Sequence, residues 1–520
     1  MARLKEYNGH YCESEYEYAF IEFLEAEGWK YSSGNNISRV TKRDVLIADD
    51  FKKFIADTNP DLTEDEVTQI YDNVRLVGAE SDFATLHKVY GWMVNGVQFT
   101  PQDRLPRMIP LIEFDNWDKN IFRVVNQFTV EYTNNGQKEN RRADVLLFVN
   151  GIPLCVIELK NPADANATIY DAWEQINIRY WRDIPHLLHY CPLACISDGV
   201  KTRLGTVRTP YEHFYAWRRV NEGDVVSTLP FAETETMIKG IYTPERFVEI
   251  FRDYIYFQDS IYDCDEVEIV CRYPQFFAAK LLKQSIVNSV VTRSGKGGTY
   301  FGATGCGKTY TMAFLARQLA LRCTDIPEIG SPTIILIVDR DELQKQGSKL
   351  FTKSKEFLNL GEVSVVKNRT QLRQELGARQ SGGFYICTIQ KFCDREDDKI
   401  GLINDRQNII CFSDEAHRTQ LEHSKKIQFS KDADENMKAM VSKPYAKVLK
   451  EAFPHATFVG FTGTPIAETY QTFGDEIDRY TMDQAVADGL TVSIKYHPRI
   501  AKVLLDNKKV KEIENYYKKC

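Results

Sequence analysis

Residues 302–309, GATGCGKT, constrain the fold of this chain more than any other segment. They match the pattern GxxxxGK(S/T) at every fixed position. Glycines let a loop bend so that successive backbone N–H groups point at phosphate oxygens, at the N-terminus of the helix that follows. Because residues 299–301 suit a strand and residues 310–321 a helix, the segment predicts a strand–loop–helix unit and an α/β fold around it.

This loop is a candidate nucleotide site that binds ATP with Mg²⁺. Lys308 is expected to neutralise the β and γ phosphates, and Thr309 to ligate the Mg²⁺. The candidate binding residues in the loop are Gly302, Thr304, Gly305, Gly307, Lys308 and Thr309.

An acidic element follows about one hundred residues later, in the segment 409–417, IICFSDEAH. An apolar strand there would deliver Asp414 to the Mg²⁺ and place Glu415 to activate the attacking water. Further apolar runs at 333–338 and 457–461 alternate with helical segments, which predicts a parallel α/β sheet.

The first half of the chain holds a second candidate site. Asp144 is followed fourteen residues later by Glu158 and then by Lys160, and the last two share one face of a predicted strand. Two carboxylates and a lysine can hold Mg²⁺, position a water and stabilise the charge that develops on a phosphate. An edge strand with a local ion pair is the alternative that the residues alone leave open.

The turn at Asn150 and Gly151 bears directly on this site. A simple two-residue type I′ hairpin would pair Asp144 with Ile157 and put Glu158 on the opposite face of the sheet. A three-residue loop or a β-bulge would restore a common face. We therefore predict that the hairpin does not close with the simple two-residue turn.

The nucleotide site resembles that of superfamily 2 helicases and translocases. Three further segments support this resemblance, namely 339–344 (DRDELQ), 388–390 (TIQ) and 461–465 (FTGTP). The resemblance implies that 461–465 couples nucleotide state to DNA contact and that the other two contact the DNA backbone. The segment 272–275, RYPQ, resembles the one whose glutamine reads adenine, which implies nucleotide contacts for Arg272 and Gln275.

Nearly the whole chain resembles the restriction (R) subunit of type I restriction–modification enzymes. The supporting segments are 17–21 with 28–29, 143–154, 158–162, 197–199 and 211–214. The resemblance implies an α/β fold in which a PD-(D/E)xK nuclease-like domain precedes a RecA-like, parallel-sheet helicase lobe.

The resemblance also implies roles for individual residues of the first half. Asp144 and Glu158 would be metal ligands and Lys160 the catalytic lysine, with Glu17 as the acidic residue of the first helix. Its neighbours Glu13 and Glu15 remain alternatives to Glu17.

A Gln-x-x-x-Tyr element of the same family follows the lysine. Gln175 fits it, whereas Tyr180 lies one residue too far along.

The implied activity is an ATP-dependent DNA translocase and endonuclease that cuts duplex DNA after translocation. ATP and Mg²⁺ are the expected cofactors. The expected partners are double-stranded DNA and the methyltransferase (M) and specificity (S) subunits. Two alternatives remain: a superfamily 2 helicase or repair translocase whose nuclease-like domain only binds DNA, and a nucleotide-regulated binding subunit without turnover.

The expected domains are 1–255 (nuclease-like), 256–470 (first helicase lobe) and 471–520 (start of a second lobe). Only 55 residues follow Pro465, so we expect a fragment that hydrolyses ATP poorly by itself. No run approaches 18 apolar residues, which excludes a membrane span, and no secretory signal begins the chain. The 12 cysteines form no CxxC pair, which favours free thiols in a reducing cytoplasm.

Overall fold

A computed structural model describes residues 13–78, 80–161, 168–224, 232–258, 266–338, 350–353, 355–359, 361, 363–392, 400–416, 427–431, 437–441 and 445–492. The predicted DNA-contact segment 339–344 and His417 lie outside these residues. Within them the chain builds two large sheets, one from the first 206 residues and one between residues 296 and 480.

The described residues of the first region form ten strands and several helices, whose bounds are as follows. Its strands are β1 (Lys30–Ser33), β2 (Val97–Phe99), β3 (Arg107–Ile109), β4 (Phe122–Asn134), β5 (Gln137–Val149), β6 (Ile152–Leu159), β7 (Leu193–Ser197), β8 (Thr202–Thr206), β9 (Ile255–Gln258) and β10 (Val267–Val270). Its helices are α1 (Glu13–Ala26), α2 (Ala48–Thr58), α3 (Glu64–Arg75), α4 (Asp82–Asn95), α5 (Ile169–Glu174), a π-helical turn (Gln175–Tyr180), α6 (Trp181–Asp183), α7 (Pro185–Leu188), α8 (Ala232–Ile241) and α9 (Pro244–Asp253).

The second region has these bounds. Its strands are β11 (Lys296–Gly302), β12 (Thr333–Val338), β13 (Val363–Val365), β14 (Phe384–Thr388), β15 (Ile409–Asp414), β16 (Ile427–Lys431), β17 (Met437–Val441), β18 (Thr457–Thr462) and β19 (Glu476–Tyr480). Its helices are α10 (Tyr273–Thr292), α11 (Lys308–Arg322), α12 (Lys355–Leu358), α13 (Arg369–Ala378), α14 (Tyr445–Ala452), α15 (Ala467–Phe473) and α16 (Met482–Ala487).

The first sheet has the strand order β1-β4-β5-β6-β7-β8 and mixed directions. Strands β4, β5 and β6 form two consecutive antiparallel hairpins, while β1 pairs with β4 and β6 with β7 in parallel. All eight residues of β6 are buried. A strand that is buried on both faces reads as a continuous apolar run, so the charged Glu158 in it requires specific partners.

The second sheet has the order β13-β14-β12-β15-β18-β11-β19, and all of its pairs are parallel. Parallel strands bring their C-terminal ends to one edge, where the loop after β11 and the acidic end of β15 therefore both lie. The predicted parallel α/β lobe is confirmed. Its last strand, β19, extends the sheet ten residues past the predicted limit at 470.

The hairpin between β5 and β6 closes with a two-residue turn. Val149 pairs with Ile152, and the two loop residues Asn150 and Gly151 have φ angles of 51° and 76°. Two positive φ angles define the type I′ turn that an Asn-Gly pair favours. The prediction that this hairpin avoids the simple turn is therefore wrong.

A β-bulge at Leu154 corrects the register instead. Pairing steps from Phe148–Pro153 to Leu147–Cys155, so Leu154 has no partner on β5. One extra residue reverses which face of β6 each later side chain occupies. The bulge was the alternative that would serve the predicted site equally well.

The two regions share a continuous hydrophobic core. Trp217 of the first region packs against Phe276 and Phe277 of α10. An ion pair of 2.7 Å joins Arg322 of α11 to Asp253, which is 1% exposed at the end of α9. Among the described residues, no helix is long and apolar enough to cross a membrane, and the cysteines are all buried free thiols.

Candidate functional sites

The bulged hairpin brings the two predicted carboxylates of the first region together. Val145 pairs with Ile157, so the register places Asp144 opposite Glu158 on the same face of the sheet. The backbone N–H of Leu159 donates to Asp144 Oδ2 at 3.0 Å. If the carboxyl groups of Asp144 and Glu158 lay on opposite faces of the sheet, they could not share a metal ion. They lie on the same face.

Glu158 is fully buried and is held by two side chains from the segment after α5. Gln175 Nε2 donates to Glu158 Oε2 at 2.6 Å, and the Tyr180 hydroxyl donates to Glu158 Oε1 at 2.6 Å. The other end of the same Gln175 amide accepts from Lys160 Nζ at 3.1 Å. Gln175 thus fixes the carboxylate and the lysine with one planar group.

The π-helical turn explains how Tyr180 reaches this site. In a π-helix the repeat is i→i+5, so Gln175 and Tyr180 lie on one face as residues four apart do in an α-helix. Gln175 Nε2 donates to the Tyr180 hydroxyl at 3.0 Å. The spacing that departed from Gln-x-x-x-Tyr by one residue is therefore absorbed by one wide turn.

Glu17 of α1 lies near Asp144. It is 4% exposed, and both of its oxygens accept hydrogen bonds, from Asn126 Nδ2 at 2.6 Å and from Gln127 Nε2. Burial and the charge of nearby Asp144 raise the pKa of the Glu17 carboxyl, against those two bonds. Glu15 is half-buried, and the side chain of Glu13 lies outside the described residues.

The electrostatics of the pair favour a bound cation. Burial and the neighbouring Asp144 raise the pKa of Glu158 well above its usual range, while Lys160 opposes that shift. A divalent cation would offset the repulsion between the two carboxylates, and carboxylate oxygens are the ligands that Mg²⁺ prefers.

Among the described residues, no three His, Cys, Asp or Glu side chains lie close enough together to hold a metal ion. Mg²⁺ is commonly bound by one or two carboxylates together with water and phosphate oxygens. Asp144 and Glu158 therefore fit such an ion as a two-carboxylate site.

The loop 302–309 lies between β11 and α11, as predicted. Gly305 and Gly307 have φ angles of 85° and 84°, a conformation that glycine adopts without strain. Lys308 opens α11 and donates from Nζ to the carbonyl of Gly302 at 3.2 Å. Thr309 follows it in the first turn of that helix, and Thr304 is exposed at the outside of the loop. The N-terminus of α11 thus points at the space inside the loop.

The acidic element meets this loop. Lys308 Nζ lies 3.9 Å from Glu415 Oε1, and Asp414 ends β15 directly before it. Burial, reinforced by the charge of Glu415, raises the pKa of Asp414 to about 6. The Glu415 backbone has a φ of 48°, which is uncommon outside glycine and typical of functional turns.

Two more predicted residues lie at the start of α10. Gln275 Oε1 accepts from the backbone N–H of Arg272 at 2.9 Å, and Gln275 Nε2 lies 3.4 Å from the Gly307 carbonyl. The Arg272 guanidinium stacks 3.4 Å above the ring of Tyr215 and bonds to its hydroxyl. The segment 461–465 also approaches the loop, because a Cβ on Gly463 would lie 3.3 Å from Thr304 Oγ1.

Sequence reasoning missed three residues at these sites. Asn126 and Gln127 hold Glu17, and Tyr215 carries Arg272. Two consecutive amides within the largely apolar strand β4 were the available signal for the first pair. No comparable signal existed for Tyr215, because its contact joins segments 57 residues apart.

Comparisons with known sequence families agree with this division of the chain. Residues 11–213 match the family described as type I restriction enzyme R protein N terminus (HSDR_N). Residues 274–519 match the SWI2/SNF2 ATPase family. The first match covers the paired carboxylates, and the second covers the phosphate loop and the acidic element.

Individual relatives extend over nearly the whole chain. The type I restriction enzyme HindI endonuclease subunit of Haemophilus influenzae is 30% identical over 509 residues, which is 93% of this chain and 46% of that protein. A protein of Methanocaldococcus jannaschii named MjaIXP endonuclease subunit is 29% identical over 94% of this chain and 46% of its own. The chain thus spans about half the length of these relatives.

A solved structure also matches, weakly. It is a fragment ascribed to an HsdR subunit from Vibrio vulnificus YJ016, with 17% identity over 71% of this chain and 56% of that one. Its TM-score is 0.26, which does not establish a shared fold.

Proposed function

The chain is related to the R subunits of type I restriction enzymes, and on that premise we propose that it is an ATP-dependent DNA translocase and endonuclease. The second region would convert ATP hydrolysis into movement along duplex DNA. The first region, with a nuclease fold of the PD-(D/E)xK type, would cut the DNA after translocation.

ATP would bind at the loop 302–309. The loop amides and Lys308 would hold the phosphates, Thr309 and Asp414 the Mg²⁺, and Glu415 would orient the attacking water. The 3.9 Å approach of Glu415 to Lys308 supports this assignment, because it brings the acidic element to the place where the terminal phosphate would lie.

DNA would be cut at Asp144 and Glu158. Mg²⁺ bound there would polarise the scissile phosphate and lower the pKa of an attacking water. Lys160, fixed by Gln175, would stabilise the negative charge that grows on the phosphate oxygens. Tyr180 and Gln175 would keep the Glu158 carboxylate turned toward the ion.

The observation that carries the nuclease proposal is the set of hydrogen bonds around Glu158. A buried carboxylate in a fully buried strand costs several kcal/mol unless it is paired. Here the carboxylate accepts hydrogen bonds from the neutral side chains of Gln175 and Tyr180, while Lys160 is bonded to the amide of Gln175. A structural ion pair would instead join Glu158 and Lys160 directly.

Double-stranded DNA is the proposed substrate, and the M and S subunits are the proposed partners. The S subunit would supply sequence recognition. ATP and Mg²⁺ are the proposed cofactors.

The test is Mg²⁺-dependent cleavage of a circular plasmid carrying the recognition site by the assembled enzyme. Asp144→Ala should abolish cleavage and leave ATP hydrolysis within about twofold of the wild type, because only a metal ligand of the first site is lost. Asp57→Ala, at an exposed aspartate of α2, serves as the matched control. Wild-type cleavage by Asp144→Ala would favour a first region that only binds DNA.

A further inference from the structure

Strand β4 contains a backbone irregularity directly opposite Asp144. Its ladder with β5 includes the pairs Asn126–Val145 and Phe128–Ala143, but the position between them, where Gln127 faces Asp144, forms no pair. Gln127 has a φ of 52°. A residue other than glycine rarely adopts this conformation within a strand, and such strain is concentrated at functional sites.

The irregularity changes where two side chains point. Successive side chains of a regular strand lie on opposite faces of the sheet. Asn126 and Gln127 are consecutive, yet the amides of both donate to the carboxylate of Glu17. The left-handed backbone at Gln127 lets both amides reach one carboxylate.

Neighbouring groups fix this arrangement. The Tyr31 hydroxyl donates to Asn126 Oδ1 at 3.1 Å, which leaves the NH₂ group of Asn126 for Glu17. Gly34 lies so close to the kink that a Cβ on it would be 2.5 Å from the Asn126 carbonyl and 2.8 Å from that of Gln127. A larger residue at position 34 would push the strand away. Contacts with Glu17, Tyr31 and Gly34 together therefore fix the kink.

We propose that Gln127 is a positioning residue, which together with Asn126 holds the Glu17 carboxylate near Asp144 as a further negative charge of the metal site. Each oxygen of the Glu17 carboxylate accepts a hydrogen bond from one of these two amides, which fixes the carboxylate in its place. Its negative charge next to Asp144 strengthens cation binding through electrostatics. This inference rests on the proposed nuclease site.

The competing explanation is that Gln127 only shapes the sheet. Two substitutions separate these roles. Gln127→Gly removes the amide and adopts a positive φ without strain, whereas Gln127→Ala removes the amide and keeps the strain. Gln98, an exposed glutamine of β2, provides the matched control as Gln98→Ala.

The experiment measures Mn²⁺ binding by titration calorimetry and thermal unfolding of the intact, nucleotide-free protein. Both Gln127 variants should bind Mn²⁺ about tenfold more weakly, as is typical when an outer partner of a metal site is lost. Gln127→Gly should unfold at or above the wild-type temperature, and Gln127→Ala should not exceed it. Gln98→Ala should match the wild type in both measurements.

Asp144→Asn distinguishes failure of this inference from failure of the proposed site. If Asp144→Asn loses Mn²⁺ binding while both Gln127 variants bind normally, the positioning role is refuted and the nuclease site stands. If Gln127→Ala is weakened and Gln127→Gly is not, backbone shape rather than the amide is responsible, which also refutes it. Normal binding by Asp144→Asn would refute both.

Discussion

The two candidate sites of this chain are built in opposite ways. The nucleotide site takes most of its groups from one continuous loop and helix start, Gly302 to Thr309, and adds the end of one strand in the same parallel sheet. The paired-carboxylate site is assembled from α1, β4, the β5–β6 hairpin and the π-helical turn after α5. Its residues span positions 17 to 180.

The difference is visible in the backbone. The nucleotide loop meets its requirements with glycines, whose positive φ angles carry no strain. The carboxylate site depends on three local irregularities: the bulge at Leu154, the wide turn at Gln175–Tyr180 and the left-handed Gln127. The first two each shift a side chain by one residue onto the shared face, and the third directs the Gln127 amide to Glu17. A contiguous motif carries its geometry locally, whereas a dispersed site depends on register and therefore needs such corrections.

The largest effect should come from the local motif. Lys308→Ala removes the charge that would hold the β and γ phosphates, and ATP hydrolysis by the assembled enzyme should fall by roughly 10²- to 10³-fold. Thermal unfolding should be almost unchanged, because among the described residues Lys308 contributes one hydrogen bond to Gly302 and one 3.9 Å approach to Glu415. Hydrolysis within tenfold of the wild type would show that the loop does not bind the phosphates.

The next effect concerns stability and compares two Asn-Gly turns of the first sheet. Gly151→Ala should cost about 2–4 kcal/mol, because the φ of 76° disfavours alanine and the new Cβ would lie 2.3 Å from the Ile47 carbonyl. Gly136 in the β4–β5 turn has a φ of 81° with open space around it, so Gly136→Ala should cost only about 1 kcal/mol. Chemical unfolding of both variants measures the difference. Equal losses of stability in the two variants would mean that the close contact of Gly151 with Ile47, directly before α2, does not matter for stability.

The pKa of Asp414, raised to about 6, predicts a pH effect at the nucleotide site. Mg²⁺ binds the ionised carboxylate. Below the pKa of Asp414, protons compete with Mg²⁺ for this group, and Mg²⁺ binding strengthens again as the pH rises through the pKa. The Mg²⁺ concentration for half-maximal ATP hydrolysis should rise by about tenfold per pH unit below pH 6 and level off above it. Saturating Mg²⁺ should restore turnover at low pH. A half-maximal concentration that is constant from pH 5 to 8 would contradict the assignment of Asp414.

The smallest effect tests whether the wide turn is a register correction. Deleting Ile178, which is 46% exposed, converts the segment to Gln-x-x-x-Tyr and should let an ordinary α-helical turn carry the same contacts. Cleavage should stay within about tenfold of the wild type. Inserting an alanine after Ile178 should abolish cleavage, because a second extra residue turns the tyrosine away from Glu158. If the deletion variant folds but does not cleave DNA, the wide turn does not simply compensate for one extra residue between Gln175 and Tyr180.

Much of the nucleotide lobe could be predicted from sequence because its strands are apolar runs with their functional residues at the ends. The strand–loop–helix unit around 302–309, the place of Asp414 at the end of a strand and the parallel sheet were all predicted in this way. The register of the β5–β6 hairpin could not be predicted in this way. Asn150 and Gly151 correctly indicate a two-residue turn, but the bulge at Leu154 has no sequence signature. The contact of Tyr180 with Glu158 could not be predicted either, because a count of residues along the chain assumes an α-helical repeat.

The central claim is that one chain carries two separable chemistries, and Lys160→Ala tests it most directly. ATP hydrolysis and plasmid cleavage are measured side by side in the assembled enzyme, with exposed Lys138→Ala as the control. Lys160 Nζ bonds to Gln175 of the paired-carboxylate site. We predict cleavage lost and ATP hydrolysis unchanged. Loss of both activities, or retention of cleavage, would contradict the two-site account.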